Sequence, residues 1–303
     1  MKHDYDILVV GGVGIDTIVR VPALPLPIAD SIHVGPVRDY VAHTGNGVAL
    51  ASHALGLRTK LVDFIGADAQ AELIHARYRD TGLDFSYIVH PSGTRRSVNL
   101  VDPNGRRLSL YDGRHPPELR MQSEFYLPFL LRARHAHFSI MNWARDLYDD
   151  ARELGVTVST DLHDWDGASG YHRDFALQSD LVFVSTAALG GRHQEVMRAI
   201  LEQGRAQVVI AMAGDQGSYL LRRGDSALRH MGCAQLGRTI VDSNGAGDAY
   251  VSGFLYGHFN GMGSDACMRL GAVAGAYACG IEGTAEGFLT RAQLLDYAAT
   301  AQL

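Results

Sequence analysis

The chain has 303 residues, 47% apolar and 20% charged, a balance that suits a globular protein large enough to bury a substantial core. No apolar run approaches the ~20 residues of a membrane-spanning helix. The formal net charge of −6 with no basic run offers nothing for a phosphate backbone, so neither membrane nor nucleic acid is expected as a partner.

In chain order, MKHDYDILVVGGVGID opens with an apolar run too short for a signal-peptide core, and residues 5–10 read as a buried strand before glycines. A helix is expected over 46–56 with Gly56 as its stop, a strand over 59–66, and a helix over 69–82 ending at Gly82. RRSVNLVDPNGRRLSLYD (95–112) is a hairpin around Pro103-Asn104-Gly105. Strand, helix and strand follow in HAHFSIM, WARDLYDDARELG and VTVSTDL, and again in DLVFVS, HQEVMRAILEQG and AQVVIAMAG. GRTIVD reads as a strand leading into the segment 242–257, and helices are expected at 265–279 and 291–300.

Strands alternating with helices predict an α/β fold with a central, mostly parallel sheet covered by helices. The hairpin and the extended stretch 19–41 break that alternation. They predict a small β-sheet lid, built from insertions at about 17–41 and 95–112 of a single domain spanning 1–303. Cys233, Cys267 and Cys279 are odd in number, far apart and not in metal-ligand spacing, which predicts free thiols and a reducing cytoplasm. Lysine occurs only as Lys2 and Lys60, and no GxxxxGK[ST] loop exists. A nucleotide phosphate must therefore be held in another way.

Asn244-Gly245-Ala246-Gly247-Asp248 stands before the apolar run AYVSGFLYGHF. Amides in the first turn of a helix lack intrahelical partners and carry partial positive charge, and small residues let a phosphate reach them. An aspartate there would repel phosphate unless it takes a proton from an attacking hydroxyl. Spacing alone leaves the alternative of an ordinary first-turn acid. Asp16, after the first strand, fits either a hydroxyl acceptor or a turn cap. Gly12-Val13-Gly14 leads into a strand-like run, which disfavours a dinucleotide-binding turn.

DSNGAGDAYVSGFL resembles the C-terminal signature of the ribokinase-like (PfkB-type) carbohydrate and nucleoside kinases, and the element order extends the resemblance over nearly the whole chain. The resemblance implies a ribokinase-like fold and an ATP-dependent kinase that phosphorylates a primary hydroxyl of a small sugar or nucleoside with Mg²⁺. It makes Asp248 the catalytic base and Gly245, Ala246 and Gly247 the anion hole. Asp16, Gly45 and Asn46 would hold the acceptor, with Asn99 added from the hairpin; Thr44 or Asn46 also suits a plain helix cap. Gly214, Gly217, Asn244 and Ser185 would lie on the nucleotide side. Asp242 and the loop around Gly283 resemble a potassium or sodium site.

The chain departs from that pattern at several points. In His43-Thr44-Gly45-Asn46-Gly47 the usual double glycine is missing, and Gly47 stands where asparagine is usual. Met212 replaces a phosphate-touching threonine, and Ser185-Thr186-Ala187-Ala188 lacks the carboxylate of an N-x-x-E motif. A non-catalytic sugar- or nucleotide-binding protein on a kinase fold is therefore the alternative. DLHDWD (161–166) has no metal-ligand spacing and reads as a polar loop with Asp161 facing the cleft. The 14 histidines form no HExxH and no serine or cysteine elbow. Arg95, Arg96, Arg106 and Arg107 suit either an acidic acceptor or a solvated hairpin. An exposed lid edge predicts a homodimer through the lid.

Overall fold

Strand β1 (Ile7–Val10) is buried at every residue, and its alternating side chains divide between two cores. Ile7 and Val9 enter one, Leu8 and Val10 the other. Such a strand belongs in the middle of a parallel sheet covered on both faces. The computed structural model, which describes residues 3–303, places it there.

The first half of the chain runs β2 (Gly14–Arg20), β3 (Arg38–Ala42), α1 (Thr44–Ala54), β4 (Thr59–Ile65), α2 (Ala69–Thr81) and β5 (Asp84–Val89). The hairpin β6 (Arg96–Val101) and β7 (Arg107–Asp112) follows, then α3 (Ser123–Leu130), β8 (His135–Phe138), α4 (Leu147–Glu153) and β9 (Thr157–Asp161). The rest is α5 (Gly170–Gln178), β10 (Leu181–Ser185), α6 (His193–Gln203), β11 (Val208–Met212), β12 (Ser218–Arg222) and β13 (Arg229–Met231). Helices α7 (Ala246–Phe259), α8 (Ser264–Ala278) and α9 (Arg291–Thr300) close the chain.

Nine strands form the main sheet in the order β13-β12-β11-β10-β9-β8-β1-β4-β5. Only the β11–β12 and β12–β13 pairings are antiparallel. Helices α1, α2, α7, α8 and α9 cover one face, and α3 to α6 cover the other. A separate four-stranded sheet, β3-β2-β6-β7, is the lid. Its register puts Asp16, Ser97 and Tyr111 in one cross-strand row, and Arg20, Val101 and Arg107 in another on the same face.

The lid is rooted in the main sheet by a buried ion pair. Arg95, immediately before β6, is 1% exposed and binds Asp63 of β4, which is 0% exposed. The guanidinium also donates to the Val13 carbonyl through Nε at 3.2 Å and Nη2 at 3.0 Å. Asp63 in turn accepts from the Val13 amide at 2.8 Å. The chain entering β2 is thus held from both sides by one charge pair.

One stretch expected to be extended throughout is interrupted, and one expected strand is absent. Within 19–41, pairing stops at Arg20 and resumes at Arg38, because Pro22, Pro25, Pro27 and Pro36 remove ladder donors in between. GRTIVD is irregular: the Val241 and Asp242 amides share the single Cys279 carbonyl, while Ile240 and Val241 are exposed. Conversely β5, α3, α5, β12 and β13 carry weak patterns. β5 is a half-buried edge, and α3 contains Pro128. All three cysteines are free, and among the described residues no helix is long and apolar enough to cross a membrane.

Candidate active site

Strands β9, β10 and β11 all deliver their last residues, Asp161, Ser185 and Met212, to a cleft of about 690 Å³ roofed by the lid. The cleft floor is the start of α7. Gly245 is its N-cap at φ +75°, and a Cβ there would run into the Thr284 carbonyl, so only glycine fits. Gly245, Gly247 and Asp248 line the cleft together with Asp242, Ser243 and Asn244.

Asp248 lies in the first turn of α7 and is 9% exposed. Helix α1 packs against it at Gly47, where a Cβ would collide with the Asp248 carboxylate. Ser252 fixes the two helices by donating to the Val48 carbonyl at 3.2 Å. Burial pushes the Asp248 carboxyl well above the ordinary carboxylate range, with further upward pressure from the charges of Asp161 and then Asp16. Three carboxylates therefore meet in one partly desolvated volume, an arrangement typical of functional sites.

Asp16, on β2, is equally buried at 9% exposed. Its Oδ1 lies 3.2 Å from Nε2 of His43, without the geometry of a hydrogen bond. His43 is the N-cap of α1 and adopts φ +73°, a left-handed conformation strained for a residue with a side chain. Ser97 Oγ stands 3.3 Å from the same imidazole nitrogen, and the Tyr111 ring packs beside it. A second left-handed histidine, His163, does line the cleft, 3.4 Å from Thr44 Oγ1. Strained non-glycine residues concentrate where function requires a fixed side chain.

Other expected residues fall in different places. Gly45 is a close-packing position, where a Cβ would meet the Gly11 carbonyl. The Asn46 side chain is 0% exposed; it donates to the Val41 carbonyl at 3.0 Å and accepts from Tyr78 at 2.9 Å. Both ends of that amide are thus satisfied inside the protein, and it does not face the cleft. Asn99 is buried on the lid face that carries Asp16 and Ser97. Gly214 and Gly217 flank the short turn after Met212, beyond the residues that line the cleft. Asp242 accepts from the Asn244 amide at 3.0 Å and pairs with Arg20 at 3.4 Å.

The hairpin arginines have four different surroundings. Arg95 is the buried anchor, Arg106 pairs with Asp102, and Arg96 reaches Thr17. Arg107 crosses to Asn244 Oδ1 at 2.5 Å. Two histidines of the sheet, His135 and His137, share Ser159 as partner in the core, and burial lowers the His137 imidazole to about 3. Asp161 accepts from the His163 amide at 2.9 Å and Asp166 from Ala168 and Ser169, which is the polar loop expected of DLHDWD. Among the described residues no group of three metal-binding side chains occurs. Mg²⁺ keeps most of its waters and needs one or two carboxylates. The cleft provides Asp161, Asp164 and Asp242, so a hydrated Mg²⁺ fits.

Comparison with known proteins identifies the family and the fold. The chain is 44% identical, over 99% of its length and 100% of the relative's, to an acarbose 7(IV)-phosphotransferase of Actinoplanes sp.. The chain belongs to the PfkB family of carbohydrate kinases. Residues 175–291 match the pfkB carbohydrate kinase family directly. The solved structure of a microbiome-derived acarbose kinase, Mak1, superimposes with a TM-score of 0.91 at 47% identity, covering 98% of this chain and 100% of that one. Arabidopsis thaliana ribokinase complexed with ribose and ATP superimposes with a TM-score of 0.82 at 18% identity, covering 98% of this chain and 99% of that one, and shows the shared fold. The protein is accordingly a PfkB kinase with a ribokinase-like fold. The departures at Met212 and 185–188 occur within a family member whose Gly245-Ala246-Gly247-Asp248 turn is intact.

Proposed function

We propose that this kinase transfers the γ-phosphoryl group of ATP to a primary hydroxyl of acarbose or a closely similar oligosaccharide. The whole-length likeness to the Actinoplanes phosphotransferase and to Mak1 supports that acceptor over a free small sugar or a nucleoside. The observation that carries the chemistry is Asp248, buried in the first turn of α7 at the cleft and near enough to Asp16 for that charge to raise its proton affinity further.

Asp248 takes the proton of the attacking hydroxyl at a carboxylate oxygen. A carboxylate whose proton affinity has been raised by burial is a stronger base than one in water, which favours that transfer. Asp16, turned toward His43, accepts hydrogen bonds from acceptor hydroxyls, with Gly45 and Asn99 shaping the same side. The Gly245, Ala246 and Gly247 amides receive charge building on the phosphoryl oxygens, and one such donor is worth about 3–4 kcal/mol. Ser185, Asn244, Gly214 and Gly217 border the nucleotide. Bound Mg²⁺·ATP supplies the transferable phosphoryl group and neutralises part of its charge. A potassium or sodium ion at Asp242 would compete with Arg20 for the same carboxylate, so turnover compared in potassium, sodium and choline chloride tests that site.

The chain acts as one unit over 1–303, in the cytoplasm. A homodimer through the lid is supported by the lid's outer face, where Val98, Leu100, Leu108 and Leu110 stand in register and the last two are 48% and 55% exposed. Light scattering across a concentration series reads that state. The activity itself is tested by coupled ADP release with acarbose, maltotetraose, ribose and adenosine as acceptors. Acarbose is expected to be used fastest. No ADP release above the ATP-only background with acarbose would overturn the reading.

A further inference from the structure

An oligosaccharide is longer than the one ring that takes the phosphate, so a kinase that prefers it must grip units that do not react. Sugar rings carry hydroxyls at their edges and C–H groups on their faces. An aromatic side chain with a polar tip suits such a surface. Among the described residues three tyrosines are largely exposed: Tyr87, Tyr111 and Tyr171. Tyr87, on the edge strand β5, has its ring against Phe85 and His75 at 5.3 and 4.7 Å. The other two stand at one end of the lid.

Strand register fixes which end. β7 begins at Arg107, which reaches Asn244 beside the α7 turn, and arrives at Tyr111 four residues later on the same face. That is about 13 Å along the strand, so Tyr111 marks the end of the lid away from the α7 turn. It shares a cross-strand row with Ser97 and Asp16, two strands or about 9–10 Å from Asp16. Its ring lies 5.8 Å from that of His43 and against Gly113, where a Cβ would come within 3.0 Å of Cε1. Tyr171, near the start of α5, holds the other side of this corner. Its hydroxyl donates to the Ile140 carbonyl at 2.7 Å, just past the end of β8, and the Arg145 guanidinium lies over the ring at 4.7 Å. Met141, next to Ile140, accepts through Sδ at 2.8 Å from Arg95, the root of the β6–β7 hairpin. The two rings thus flank the junction between lid and sheet. They are 57% and 45% exposed, yet burial raises both phenols, and Tyr171 is near enough to Tyr111 to raise it further, after the downward pull of Arg95 and the upward push of Asp63. Rings that solvent reaches while protein surrounds them line a recess.

We propose that Tyr111 and Tyr171 form an aromatic clamp for the sugar units of an oligosaccharide acceptor that lie beyond the ring receiving phosphate. The assignment rests on the kinase reading above and deepens it by naming the residues that read acceptor length. A single sugar ring held at Asp16 leaves the clamp empty, and a longer acceptor fills it. Binding energy from the unreactive units then helps to hold the reacting hydroxyl at Asp248. Losing the clamp therefore lowers turnover as well as affinity, for long acceptors only.

Calorimetric titration of the wild type, Tyr111→Ala, Tyr171→Ala, their double variant and Tyr111→Phe with acarbose, maltotetraose, ribose and Mg²⁺·ADP separates the possibilities. Both side chains are exposed, so the variants are expected to keep the wild-type melting temperature. Each alanine variant should bind acarbose and maltotetraose about tenfold more weakly, with ribose and ADP unchanged, while Tyr111→Phe stays within about twofold of wild type because it keeps the ring face. Acarbose binding within about twofold of wild type in the double variant overturns the clamp, and a loss in only one of the single variants overturns it as a pair. An equal loss for ADP overturns it too, since the rings would then act on the fold. A loss in Tyr111→Phe as large as in Tyr111→Ala assigns the contact to the hydroxyl and overturns the stacking. A wild-type protein that binds neither oligosaccharide also ends the proposal. The kinase reading is judged separately, by ADP release with any acceptor, ribose and adenosine included, and survives each of these outcomes.

Discussion

Replacing Arg95 by methionine tests how the lid is held to the sheet. Methionine keeps most of the aliphatic volume but removes the charge, leaving Asp63 at 0% exposure with two amide donors, Val13 at 2.8 Å and Phe64 at 2.7 Å, and no cation. The Val13 carbonyl simultaneously loses two guanidinium donors, at 3.2 and 3.0 Å. Stranding one member of a buried pair costs about 3–5 kcal/mol. With a urea slope of about 3 kcal/mol/M for a chain of this size, the unfolding midpoint should fall by about 1–1.7 M. Trp143 and Trp165 are both buried, so intrinsic fluorescence reports the transition. Asp63→Asn alone should cost a similar amount by stranding the guanidinium. The double variant should lose less than the sum by about 2–3 kcal/mol, since neither charge is then left alone. A loss below about 1 kcal/mol in Arg95→Met, or strict additivity in the double variant, would refute the anchor.

Asp248→Asn should lower turnover by at least ~10²-fold. It should also raise the melting temperature near neutral pH, because it removes one of three clustered carboxylates. The pH dependence has a definite sign. The folded carboxyl holds its proton to higher pH than the unfolded one, so wild-type stability falls as pH rises from the unfolded value of about 4 toward the folded value. Melts at pH 4, 5.5 and 7.5 should show the variant's advantage growing with pH, and wild-type turnover should climb with pH over the window in which Asp248 loses its proton. His43→Gly should relieve about 1–2 kcal/mol of left-handed strain. Kinetics should nonetheless show a higher acceptor KM, because the imidazole 3.2 Å from Asp16 is gone. Gly47→Ala places a methyl on the Asp248 carboxylate, and steady-state assays should show turnover falling on the order of 10²-fold from displacement of the base.

The sheet, its flanking helices and the glycine turn that opens α7 were legible because they rest on local patterns. β1 is a short apolar run before glycines, and the α7 turn packs its small residues and Asp248 into five consecutive positions. What local patterns do not carry is which side chain fills which volume. Asn46 follows Gly45 in a glycine turn, yet the helix turns its amide inward to Tyr78 and Val41. Arg95 sits beside three hairpin arginines with identical side chains, and only its position at the root of the lid buries it against Asp63. Arg20 ends an ordinary strand-like run. Its place over the cleft comes from pairing with residues about 80 positions later, an order of sequence separation that periodicity does not reveal. His43 and His163 have no sequence mark of their left-handed backbones.

The two cores on either side of β1 close at different points in the chain. The core holding Leu8 and Val10 draws its members from residues no later than Leu221, whereas the one holding Ile7 and Val9 requires α7, α8 and residues up to Ala301. On the ribosome, the first can assemble while the second face of the sheet still waits for its cover, so the growing chain carries an apolar surface that invites chaperone contact. Cover for that face begins with α7, which also carries Asp248, and is completed by α8, α9 and Ala301. Covering that face and placing Asp248 therefore begin together, late in synthesis, and a chain truncated before α7 leaves the face bare and lacks Asp248.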